Sequence, residues 1–88
     1  MKKAESRKIK FGDLLEAIPN LDRICVVDYR HSAKLYSGPN YDLGVQTDDA
    51  KRSKDVARLI ELSDWNVVMV GASRDIADVF TLIYIVAT

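Results

Sequence analysis

The sequence predicts an α+β domain in which two short helices pack on one face of a four-stranded, mostly antiparallel sheet, in the order α-β-β-α-β-β. Three observations point to it. Two segments carry apolar residues at helical spacing, four short runs are rich in β-branched and aromatic residues, and Gly, Pro, Asn, Asp or Ser separate them. At 88 residues the chain is enough for one small domain and not two. Residues 1–10 read as a basic, flexible tail and residues 11–88 as the domain.

The tail holds Lys2, Lys3, Arg7, Lys8 and Lys10 against Glu5. It reads as a solvated segment rather than a nucleic-acid or membrane contact, and no aromatic residue is interleaved with its basic residues for stacking on bases. In the next segment Phe11, Leu14, Leu15 and Ile18 fall at i, i+3, i+4 and i+7, one apolar helical stripe that Pro19 ends. A helix of about two turns cannot stand alone, so this stripe is expected to dock in the core.

Residues 23–29 form a predicted strand around Ile24, Cys25, Val26 and Val27. Arg30, His31 and Ser32 make a polar turn, 33–36 return as a second strand, and Ser37, Gly38, Pro39 and Asn40 stop it. Cys25 is expected to be structural, a free thiol behaving as a small hydrophobe, and His31 to be exposed at the tip. Residues 41–47 default to a loop, with Thr47, Asp48 or Ser53 as candidate caps for the next helix. Ala50, Val56, Ala57, Leu59 and Ile60 give that helix its apolar pattern. Lys51, Arg52, Lys54, Asp55, Arg58 and Glu61 supply a charged face, and Ser63 and Asp64 close it.

Residues 66–72 and 79–87 are apolar on both faces and read as the central pair of an antiparallel sheet. Gly71 marks either a bulge or a close packing contact. Trp65 is expected to anchor the second helix to the sheet. Two helices on one face leave the other face of these strands uncovered, and a large exposed apolar face is rare in monomers. Either the face dimerises or residues 41–47 fold across it.

Function classes are narrowed mostly by exclusion. The 13 basic and 13 acidic residues balance to a net charge of zero, unlike a dedicated nucleic-acid binder. One cysteine and one histidine leave no disulfide framework and no Cys/His zinc cluster. No apolar stretch reaches a membrane span and no secretory signal pattern is present; with the free cysteine this fits a cytoplasmic protein. No GxxxxGK[ST] or GxGxxG run occurs. Cys25 and His31 are separated along a strand, and the pairs Asp48/Asp49 and Asp75/Asp78 read as helix-start and loop residues. Neither catalysis, a metal nor a cofactor is expected. The turn near Tyr36 and Tyr41, with Arg30, His31 and Lys34 on the same hairpin, is the candidate recognition surface, because aromatic and basic side chains are common at binding hot spots.

The run FGDLLEAIPNLDRICVVDYRHSAKLYSG, followed by LIELSDWNVVMVGASRDIADVFTLIYI, resembles a class of short proteins of Gram-positive phages, integrated mobile elements and related bacterial genomes. The matching positions are Asp13-Leu14-Leu15, Tyr36-Ser37-Gly38 and residues 66–69, within a similarity spanning residues 9–86. The chain departs from the class in a longer insertion over residues 41–54. The class has no catalytic residues to carry over. The expected function is therefore a small non-catalytic interaction or accessory module with a protein partner, and a homodimer through the second sheet face is compatible with it. Two alternatives stand beside it. One is a nucleic-acid-associated protein using the tail and the Arg52, Lys54 and Arg58 face; the other is an inhibitor of a host or phage-defence enzyme.

Overall fold

The computed structural model describes residues 9–44, 48–74 and 79–88, with the backbone alone for 73 and 74. Residues 1–8, the candidate cap Thr47 and the Asp75/Asp78 pair lie outside these. Six elements follow the expected order: α1 (Phe11–Ala17), β1 (Arg23–Asp28), β2 (Ala33–Pro39), α2 (Ala50–Leu62), β3 (Asn66–Arg74) and β4 (Val79–Val86). No helix among the described residues is long and apolar enough to cross a membrane.

The sheet order is β2-β1-β4-β3. β1 pairs antiparallel with β2, β3 pairs antiparallel with β4, and β1 runs parallel to β4 from Ile24↔Thr81 to Asp28↔Ile85. The centre of the sheet is thus β1 with β4, not the pair formed by the last two strands. β3 lies at the edge, and Val68, Met69 and Val70 are exposed there. Local pattern predicts each hairpin, but the parallel pair needs a crossover, and β2, α2 and β3 together supply it.

Alternation sorts the central strands. Ile24 and Val26 of β1 and Ile83 and Ile85 of β4 turn to one face and are buried with Phe11, Leu15, Leu59 and Leu62 of the helices. Both helices therefore cover this face. On α2 the buried residues are Val56, Leu59 and Leu62. Ile60, expected in the stripe, is 51% exposed because it lies about 100° around the helix from Leu59. The cap of α2 is Asp49, which was not among the expected candidates: its carboxylate accepts from the amides of Lys51 and Arg52.

α1 has no side-chain cap. Its first amides are satisfied by the chain leaving α2: Phe11 N donates to Trp65 O at 2.8 Å and Gly12 N to Ser63 O at 2.9 Å. Lys10 bridges to Asn66, and Val67 N donates to Ile9 O at 2.8 Å, so residues 9–10 belong to the fold rather than to the tail. Trp65 packs against the core, as expected of an anchor. This junction explains Gly12, since a Cβ there would stand 2.9 Å from the Ser63 Cβ. Gly12→Ala is expected to destabilise the domain by about 1–3 kcal/mol, the usual range for overpacking, seen as a lower urea midpoint with an unchanged slope.

Candidate interaction surface

The face opposite the helices is built by the other half of the alternation. Cys25 pairs with Leu82 and Val27 with Tyr84 across the parallel ladder; Met69 stands opposite Tyr84, and Gly71 opposite Leu82. Phe80 and Val86 extend the apolar strip along β4 by the same parity. Cys25, Val27, Leu82 and Tyr84 are half-buried by their sheet neighbours, while Met69 is 52% exposed. Cys25 therefore lies on this open face and not in the core beneath the helices. The Tyr84 ring meets Tyr29 edge-on, with centroids 6.2 Å apart.

Little charge interrupts the strip. Arg23 and Lys34 share the parity of Cys25 and Val27 and stand near opposite ends of the β1–β2 half, both exposed. Among the described residues Gly71 has no packing reason: a Cβ built on it meets nothing within 4 Å, and its φ is not positive. The bulge in β3 falls between Val67 and Met69 instead.

Of the loop that could have crossed this face, residues 41–44 take the other side, and residues 45–47 lie outside the described residues. Tyr41 and Leu43 pack against the helix-side core. Asn40, 2% exposed, holds the loop there by donating its side-chain amide to Leu15 O at 3.0 Å and Ile18 O at 2.9 Å. Leu21 N in turn donates to Asn40 O, which fixes Leu21 at φ 73° in the turn before β1. Between this loop and the end of α1 lies an open hollow of about 470 Å³ that includes Glu16, Asn40 and Asp42.

The hairpin residues expected to form one recognition surface are dispersed. Tyr36 turns into the core, and its hydroxyl donates to Pro39 O at 2.6 Å. Burial, with the nearby charges of Asp55 and Tyr41, pushes the Tyr36 phenol well above its ordinary value. Tyr41 carries the Arg52 guanidinium over its ring at 4.7 Å, and Arg58 Nε donates to Leu35 O while Nη1 pairs with Glu61. Arg30, His31 and Lys34 remain exposed near the tip.

At that tip Asp28 organises the turn. Its Oδ1 accepts from Arg30 N at 2.9 Å, its Oδ2 lies 2.9 Å from His31 Nδ1, and its carbonyl accepts from Ser32 N. Ser32 adopts φ 56° to close the loop. Asp28 is thus more than a solvated carboxylate. Cys25, inside β1, and His31, beyond its end, form no pair. Among the described residues no three His, Cys, Asp or Glu side chains gather as metal ligands.

Comparison with family models, with curated proteins and with solved structures gives no match to this chain.

The hydrogen bond from His31 holds the Asp28 carboxyl below its ordinary 3.8, and the Arg30 amide adds to this. A carboxylate depressed on folding stabilises above its unfolded pKa, and that contribution fades as pH falls through the folded value. His31→Ala is expected to move the Asp28 titration up toward 3.8, read from its side-chain carboxyl NMR shift. The variant should also lose less stability than the wild type on acidification below that pH.

Proposed function

We propose that this protein is a non-catalytic interaction module that binds another protein chain through the open face of its sheet. The apolar strip running along β4, flanked by Cys25, Val27 and Met69, carries this proposal. Patches of this kind are rarely left bare on monomers and mark association surfaces. Arg23 and Lys34 stand where the polar rim of such an interface belongs. The hairpin tip, with Arg30 and His31, lies at one end of the face and extends that rim.

The nucleic-acid alternative draws less support. Arg52 stacks on Tyr41 and Arg58 is engaged with Leu35 O and Glu61, so two of the three basic residues proposed for that role on α2 serve the fold, while tail residues 1–8 lie outside the described residues. The resemblance of residues 9–86 to short phage and mobile-element proteins favours an accessory role, with a host or defence enzyme as one class of target.

A photo-crosslinking residue placed at Leu82, compared with one at Glu16 on the helix side, tests the proposed surface in cells. The expected result is a discrete crosslinked protein species from position 82 and only background from position 16. Background from both positions, with the protein folded, contradicts the proposal.

A further inference from the structure

The hollow of about 470 Å³ between the end of α1 and residues 40–44 is lined by a polar group whose bonding is incomplete. Asn40 is 2% exposed, and its side chain is only half satisfied. Both amide hydrogens are used, on Leu15 O at 3.0 Å and Ile18 O at 2.9 Å, so the orientation of the group is fixed. Its Oδ1 is buried and accepts no hydrogen bond among the described residues. Asn66 Oδ1 shares that condition, but Asn66 does not line the hollow. A buried acceptor left without a partner is destabilising and calls for a donor from outside the chain.

We propose that this donor is the ammonium group of a small organic amine, bound in the hollow with its apolar part against Leu15, Ile18 and Leu43. The inference is independent of the interaction-module proposal, which concerns the opposite side of the sheet.

Charge selects the class of ligand. The carboxylates of Glu16 and Asp42 stand at the hollow, and among the described residues no basic side chain lines it. Neither carboxylate makes an ion pair among the described residues. Asp42 Oδ1 accepts from the neutral Gly44 amide at 3.0 Å. The chain as a whole is neutral, so the hollow is a local excess of negative charge. An ammonium offers three donors and a full positive charge, which matches one orphan acceptor and two carboxylates. An anion would be repelled there, and a neutral alcohol or amide would leave the carboxylates without a counter-charge.

Size and shape agree with this. The volume falls within the roughly 300–1,000 Å³ usual for small-molecule sites, which set a few polar groups in an apolar lining. Leu15 is buried and Ile18 and Leu43 are half-buried at the core. Asp42 N donates to Asn20 Oδ1 at 3.1 Å, tying the loop to the turn after α1 and holding the hollow in shape. Glu16 and Asp42 are exposed, so water weakens their attraction and a modest affinity is expected.

Titration of the isotope-labelled full chain with phenethylammonium at low ionic strength, followed by amide and methyl NMR shifts, tests the proposal. Saturable shifts are expected at Leu15, Ile18 and residues 40–43, with none at Cys25 or Leu82. Two relatives of the probe separate charge from donation: the N-trimethyl derivative keeps the charge without N–H groups, and phenethyl alcohol keeps a donor without the charge. Each should bind at least about tenfold more weakly than the primary ammonium. Glu16→Gln should weaken the primary ammonium roughly threefold with an unchanged thermal midpoint. No saturable shift at these residues, or equal affinity for the primary and trimethylated ammonium, overturns the proposal. A lysine of a partner protein carries the same group, but it would crosslink from position 16, where a free amine leaves background only. A discrete protein species from that position therefore overturns the assignment to a free amine.

Discussion

The parallel pairing of β1 with β4 is the constraint on which the rest of the structure depends. It joins the two hairpins into one sheet, from Ile24↔Thr81 to Asp28↔Ile85. It also aligns Ile24 and Val26 with Ile83 and Ile85, creating a surface onto which two short helices can bury Phe11, Leu15, Leu59 and Leu62. A seven-residue helix such as α1 has too few internal bonds to persist alone. It is held at its start by the carbonyls of Ser63 and Trp65 and at its end by the Asn40 side chain.

The same pairing creates an imbalance. Both central strands are apolar on alternate residues in both directions, yet the helices and residues 41–44 all pack on one side. Among the described residues, Cys25, Val27, Leu82 and Tyr84 are consequently shielded by their sheet neighbours and not by a helix. For a chain of 88 residues this is a large share of its apolar side chains to leave outside the core. Among the described residues nothing stands within 4 Å of a Cβ built on Gly71, which is consistent with a surface completed by another chain.

Element type and order were legible because each rests on local pattern. The stripe Phe11, Leu14, Leu15 and Ile18, the stop at Pro19 and the β-branched runs appear where periodicity places them. Neighbour order was not legible: apolar residues on both faces of β3 suggested a central strand, but β3 is the edge strand and β1 takes the place beside β4. Strand pairing across a crossover is a tertiary choice that no short window contains. Helix capping failed by one position, since Asp48 and Asp49 differ only in which carboxylate reaches the Lys51 and Arg52 amides. The surplus apolar face was legible from alternation alone. The direction of the hairpin side chains was not, because Tyr36 and Tyr41 are close in sequence to the tip while their rings pack toward the core; residue type does not report the direction of a side chain.

The alkylation rate of Cys25 under native conditions tests the central claim most directly, because the single thiol lies on the open face. If a partner protein covers that face, Cys25 reacts more slowly in intact cells than in the purified protein. The same rate in both, at a value typical of an accessible thiol, contradicts the account.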